Sequence, residues 1–213
     1  DGDALTYSAP TTPSWLSFAT DTHVLSGTPT NANVGDHPVT LQVSDSDTTI
    51  SQSFTVTVSN TNDTPVLIAI TDPSAVLEDG ESIVVTVSPT DIDAGASLTV
   101  TVTTNNGSLF PAGTITVLPE TGGTGVDRTI TMNPPDNQNG TALVTVSVTD
   151  GSETVNQQFT ATVTAVNDAP TITSTYDSTA TEDAAYSYTI TASDVDGDAL
   201  TYSAPTTPSW LSF

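Results

Sequence analysis

Cysteine and lysine are both missing from this 213-residue chain, and one arginine, Arg128, faces 25 aspartates and glutamates. Without cysteine there are no disulfide staples and no thiolate zinc sites. A net charge of −24 excludes nucleic acid and anionic membrane surfaces as partners, since both demand Lys and Arg to neutralise phosphate. The same charge permits cation binding and high solubility. A merely acidic or halophilic surface would carry an equal net charge, so the positions of the carboxylates must decide.

Aromatic residues make up 6% of the chain and hydrophobic residues 35%, below the globular average, which predicts several thin cores rather than one thick one. No run of about eighteen apolar residues is present, so no membrane insertion is expected. A helical period is also missing, as is a signal-peptide pattern, which fits a mature segment or a fragment. Something other than disulfides must stiffen small acidic domains, and bound calcium is the candidate.

What the chain does contain is repetition. "DGDALTYSAPTTPSWLSF" occupies residues 1–18 and again 196–213, an offset of 195. A looser repeat lies inside that unit: "DSDTTISQSFTVTVSNTNDTP" (45–65) aligns without gaps on "DGSETVNQQFTATVTAVNDAP" (150–170), an offset of 105. It shares Asp45/Asp150, Phe54/Phe159, Thr57/Thr162, Val58/Val163, Asn62/Asn167, Asp63/Asp168 and Pro65/Pro170. After each Pro comes a similar opening, "VLEDGESIVVTVSPTDID" and "ATEDAAYSYTITASDVD". The organisation that follows is one complete module over 66–170, the back of a split module over 1–65, and the front of the next over 171–213. A 195-residue period less one 105-residue module leaves 90 residues for the other, and both are the size of single immunoglobulin-like sandwiches.

Strand signals fill these modules. "ESIVVTVS", "ASLTVTV", "RTITM", "ALVTVSV" and "NQQFTATVT" alternate apolar residues with Thr, Ser or Gln, the period-2 pattern of half-buried strands. Val144, Val146 and Val148 should face inward, with Thr145 and Ser147 outward. Turns are expected at "NNG" (105–107), "ETGGTG" (120–125) and "PPDNQNG" (134–140). No helical crossover is visible to join parallel strands, so the fold class is all-β, in tandem antiparallel β-sandwiches.

The carboxylates recur in a fixed order. Glu78 and Glu182 stand near a module start, Asp91/Asp93 and Asp194/Asp196 follow its second strand, Asp45 and Asp150 end the penultimate strand, and Asn62–Asp63 and Asn167–Asp168 close it. The Asp-x-Asp turn and the Asp150 turn should share one pole, next to the incoming linker. Two carboxylates about 4 Å apart repel by about 4 kcal/mol at an effective dielectric of 20. A hard divalent cation with six to eight oxygen ligands removes that repulsion. The alternative is a set of solvated turn aspartates, which β-turns favour anyway. "DVDGDALTYSAP" from Asp194 starts like an EF-hand loop, but its twelfth position is Pro205 instead of the bidentate Glu, and EF-hand is rejected.

"DVDGDALTYSAPTTPSWLSF", the "LSGTPTNANVG" turn and the closing Asn-Asp-x-Pro together resemble the putative-Ig, or dystroglycan-type cadherin-like, repeat of large bacterial surface proteins. Residues 66–170, with "EDGESIVVTV", "NPPDNQNGTALVTVSVTDG" and "AVNDAP", resemble the related bacterial cadherin-like repeat. The resemblance implies Ca2+ between successive domains. At the first junction it implies Asn62, Asp63, Asp91, Asp93 and Asp150 as ligands, the leading Glu falling upstream of residue 1. At the second it implies Glu78, Asn167, Asp168, Asp194 and Asp196. The Asp-Arg-Glu element of cadherins has no counterpart here, because Arg128 sits in "VDRTI", so fewer ions per junction are implied. Asp1 and Asp3 lack the equivalent of Asp194 and are poor ligands.

Trp15 and Trp210 hold one position in two copies and read as packing anchors. His23 and His37 are isolated, and no triad, phosphate loop or metal-hydrolase signature occurs, so the chain reads as no enzyme. Threonine-rich strands such as "LTVTVTTNNG" leave ice binding and O-glycosylation as minority readings. The expected function is structural: extender repeats of a large, secreted, calcium-stiffened bacterial cell-surface adhesin-like protein. Its partners would be neighbouring repeats of the same chain and an unknown surface target. One alternative is the subunit of an extracellular filament or sheath, in which front (171–213) and back (1–65) halves of neighbouring chains complete one another. The duplicated eighteen residues argue against simple complementation, since both partners compete for the same strands. A carbohydrate-binding module is the other alternative, though no aromatic platform supports it.

Overall fold

A computed structural model describes residues 2–45 and 47–213, and their regular structure is almost entirely β-strand. The first part of the chain runs through β1 (Thr6–Thr11), β2 (Leu16–Ala19), β3 (Val24–Gly27), β4 (Gly35–Ser44) and β5 (Thr49–Val58), with one 3-10 turn at Asn31–Asn33. The middle carries β6 (Val76–Leu77), β7 (Ile83–Val87), β8 (Ser97–Thr104), β9 (Ile115–Leu118), β10 (Thr121–Gly123), β11 (Arg128–Met132), β12 (Gly140–Thr149) and β13 (Thr154–Thr164). The last part has only β14 (Thr171–Ile172) and β15 (Ala192–Ser193).

The middle module is a two-sheet sandwich. One sheet runs β10-β8-β12-β13-β6 and the other β7-β11-β9. Every pairing is antiparallel except β13 with β6. Val144, Val146 and Val148 on β12 are fully buried, as the alternation predicts, and they meet Ile83, Val87, Ile130 and Met132 of the facing sheet in one core. Leu109 and Phe110 plug that core from the loop after β8. Burying each such side chain contributes about 1.5–3 kcal/mol. The expected "ETGGTG" turn differs from expectation in one respect: Thr121–Gly123 forms the edge strand β10 on β8. A Cβ at Gly122 would lie 2.9 Å from the Arg128 Nη2 atom, so a side chain there would have to displace the guanidinium.

Arg128 itself is fully buried. Its Nη1 donates to the Val126 carbonyl, and its Nη2 donates to the Leu98 carbonyl at 3.2 Å. Among the described residues, backbone carbonyls rather than a carboxylate accept from the chain's one guanidinium.

The flanking parts are open by comparison. β4 and β5 pair along ten residues each, and β1 adds to β4. Phe54 on β5 is nevertheless 39% exposed, while its repeat equivalent Phe159 on β13 is 2% exposed. The duplicated string makes the cause visible. At 6–11 "TYSAPT" is strand β1 against β4, whereas the same letters at 201–206 form no strand. Trp15 is half-buried and packs edge-on against His37, with ring centres 5.6 Å apart. Trp210 is 64% exposed and packs edge-on against Tyr186. It is thus more open than Trp15, its counterpart in the other copy of the string.

Candidate metal centres at the junctions

The linker between β5 and the middle module is pinned by the module it enters. Val66 and Thr90 exchange backbone hydrogen bonds of 2.7 and 2.9 Å, setting Asn62 and Asp63 over the turn that follows β7. There the Asp63 N–H donates to Asp93 Oδ2 at 2.8 Å, and the Asp93 N–H donates to Asp91 Oδ1 at 2.8 Å. The Asn62 amide donates to Asp150 Oδ2 at 3.0 Å and to the Asp63 carbonyl at 3.1 Å. Asn62, Asp63, Asp91, Asp93 and Asp150, drawn from three separate stretches of sequence, therefore gather at one pole.

Burial separates this cluster from ordinary turn aspartates. Asp91 is 8% exposed and Asp93 is 7% exposed. Asp91 Oδ2 and Asp93 Oδ1 are shut off from solvent and accept no hydrogen bond. A buried anionic oxygen without a donor or counter-charge costs several kcal/mol. Asp150 is better served: the Glu153 and Ser152 backbone N–H groups, both at 2.7 Å, and the Asn62 amide hold its carboxyl below the ordinary value. Asp45, its repeat equivalent, is lowered in the same way by the N–H groups of Thr48 and Asp47.

Three residues join this junction that the sequence pattern does not single out. Asn31, from the 3-10 turn of the preceding part, donates its amide to Asp63 Oδ2. Thr64 donates its hydroxyl to Glu153. The Asn31 turn is held by a capping box between Thr30 and Asn33, and that local motif is the one signal in the sequence that could have drawn attention to it.

The second junction repeats the wiring. The Asp168 N–H donates to Asp196 Oδ2 at 2.7 Å, the Asp196 N–H to Asp194 Oδ1 at 3.0 Å, and the Asn167 amide to the Asp168 carbonyl at 2.8 Å. Glu78, 3% exposed, belongs to this end. It accepts the Val166 N–H at 2.8 Å and the Asn139 amide at 3.2 Å, and so ties the outgoing linker to the module it leaves. Asp198 adds a third carboxylate, and one oxygen each of Asp194, Asp196 and Asp198 lie within 4.8 Å of one another. Burial, then the neighbouring charges of Asp79, Asp196, Glu78 and Asp194, push the Asp168 carboxyl above its ordinary value. Its Oδ2 is buried without a partner. Asp194 and Asp196 are more open than Asp91 and Asp93. Asp3 is exposed, while Asp1 lies outside the described residues.

Chemically, both poles offer hard oxygen donors and no cationic side chain. That donor set suits Ca2+ far better than zinc or copper.

No curated protein matches the chain. Among solved structures, human protocadherin-24 EC1-2 is similar at 18% identity and a TM-score of 0.43, over 76% of this chain and 82% of that one. The S-layer protein SbsC is similar at 18% identity and a TM-score of 0.38, over 79% of this chain and 21% of that one. An endo-fucoidan hydrolase from glycoside hydrolase family 107 is similar at 20% identity and a TM-score of 0.35, over 78% of this chain and 24% of that one. The chain thus spans about a quarter of the hydrolase's length. Family models speak more directly. Residues 1–59 and 169–213 match the model described as Putative Ig domain, and residues 62–165 match the one described as Bacterial Ig domain. The chain belongs, over nearly all its length, to the immunoglobulin-like repeats of bacterial proteins.

Proposed function

We propose that these modules are structural extenders of a large secreted bacterial cell-surface protein, and that calcium at each junction stiffens them into a rod. One observation carries the reading: Asp91 Oδ2 and Asp93 Oδ1 are buried without a donor at a place where the linker residue Asp63 is already bonded to Asp93. A Ca2+ ion there would bind both the linker and the module, so metal binding and loss of inter-module freedom become one event. Immunoglobulin-like repeats of bacterial proteins supply the architectural support. Adhesion to a target would belong to other parts of the protein, and the extracellular location follows from the role.

The test compares the chain in chelator and in calcium. At a hundredfold excess over Kd, ligand linkage stabilises by about 2.7 kcal/mol, so the main thermal transition should rise and the scattering profile should lengthen. Unchanged melting together with unchanged hydrodynamic length would overturn the proposal.

A further inference from the structure

Given the calcium role proposed above, we infer that Thr124, in the turn between β10 and β11, is a positioning residue of the first junction. Its hydroxyl fixes the Asp91 main chain and so sets two donorless carboxylate oxygens in place for one ion. The Asp91 N–H donates to Thr124 Oγ1 at 2.8 Å, and the same hydroxyl donates to the Asp91 carbonyl at 3.1 Å. A hydroxyl carries one proton and two lone pairs, so a single Thr side chain can close both bonds at once. Both main-chain groups of Asp91 are thereby satisfied by one residue, which lies 33 positions away in the sequence. Thr124 acts through Asp91 and not on the ion.

The hydroxyl does not work alone on this segment. Next to it, the Gly125 N–H donates to the Pro89 carbonyl at 2.8 Å. Thr90, between Pro89 and Asp91, turns the other way and exchanges bonds of 2.7 and 2.9 Å with Val66 of the linker. The stretch leaving β7 is therefore gripped on both flanks in alternation, as an inner strand of a sheet would be. Gly125 sits at φ +70°, a left-handed conformation that glycine adopts without steric cost. That sharp return keeps Thr124 beside Asp91.

What the grip controls is the division of labour among the carboxylate oxygens. Asp91 Oδ1 is engaged by the Asp93 N–H at 2.8 Å, and Asp93 Oδ2 by the Asp63 N–H at 2.8 Å. Asp91 Oδ2 and Asp93 Oδ1 remain, both buried and both without a donor. Aspartate oxygens turn readily to nearby main-chain donors, so a bare Asp91 N–H would compete for one of them. Thr124 removes that competitor by taking the N–H itself. The oxygen pair is then preset, and an ion arriving there needs little further ordering of its ligands.

Two variants of the full chain test this: Thr124→Val keeps the branched shape and deletes the hydroxyl, while Thr124→Ser keeps the hydroxyl. Thr124 is exposed and Gly125 still holds Pro89, so the core should fold in both, as the NMR signals of Val144 and Phe159 will verify. Amide hydrogen exchange in chelator reads the hold directly. Exchange at Asp91 and Asp93 should quicken in Thr124→Val and stay slow in Thr124→Ser. Calcium titration reads the consequence. In Thr124→Val the affinity of the first junction should fall about tenfold to a hundredfold, the range for losing a group that orients a metal ligand. Thr124→Ser should restore it, and the signals of Asp168, Asp194 and Asp196 should titrate as in wild type. A Val variant that keeps Asp91 exchange slow, or binds calcium at the first junction as wild type does, would overturn the inference. So would a Ser variant as impaired as the Val one. Wild type that binds no calcium would overturn the metal reading instead, and exchange at Asp91 would still decide whether Thr124 holds it.

Discussion

The backbone N–H of Asp63 lies 2.8 Å from Asp93 Oδ2. A linker residue is thereby fastened to the turn of the module that follows it, and that turn holds the two best-buried aspartates among the described residues. Asp168 and Asp196 repeat the bond at 2.7 Å. The junction is built before any ion is considered, with carboxylates pulled together by main-chain donors.

Asp93→Asn should separate the electrostatic cost of that cluster from its use. In chelator it removes one buried charge while keeping an acceptor for Asp63, and stability should rise by about 1 kcal/mol, on the scale of one carboxylate repulsion in water at 4 Å. For a domain of this size that is about 4 °C or more in Tm. In calcium the order should reverse, with metal affinity lowered about tenfold or more as ligand charge is lost. Paired melting curves with and without calcium check both signs.

Acid should act on the two junctions differently. Asp168 is raised by burial and then by its acidic neighbours. Its ionised form is therefore a burden to the folded chain, one that is relieved as pH falls through the raised value. Asp150 is lowered by the Glu153 and Ser152 N–H groups. Its contribution is complete above the ordinary carboxylate value and is lost only as pH falls through the lowered one. On acidification the second junction should give up calcium before the first. Titrating calcium at several pH values, with carboxylate signals followed by NMR, reads the order.

Phe159→Ala and Phe54→Ala change one repeat position in two settings. The first empties a closed core and should cost about 3–5 kcal/mol. The second trims a ring that is 39% exposed, and should cost less than half as much. Denaturant unfolding of the two variants compares them.

Arg128→Ala should cost about 2–5 kcal/mol, the range for removing a long buried side chain. It also strips the Leu98 and Val126 carbonyls of their donor. Calcium binding should survive in whatever fraction remains folded, since the guanidinium is not part of either junction. Melting and calcium titration of the same sample distinguish the two effects.

Much of this was legible beforehand. The alternation "ALVTVSV" leads straight to three fully buried valines on β12. The 105-residue offset pairs Asn62–Asp63 with Asn167–Asp168, and the two pairs are wired alike. The elements that escaped are those set by partners distant in sequence. Asn31 reaches Asp63 across 32 positions, from a 3-10 turn whose capping signal says nothing of the linker. Asp198 follows the Asp-x-Asp pair, and it is the fold of that turn that brings one of its oxygens within 4.8 Å of Asp194 and Asp196. After Pro170 the described residues pair only in β14 with β15.

The burial of Arg128 has one more effect. With that guanidinium enclosed and no lysine anywhere, the outside of the molecule bears carboxylates and two histidines, and no side chain of permanent positive charge. Extender modules of the proposed kind would behave as polyelectrolyte bristles. At low ionic strength neighbours should stand apart by mutual repulsion over tens of ångströms, and near seawater salinity that range collapses to a few. The packing density of a coat built from them would be set by the surrounding brine.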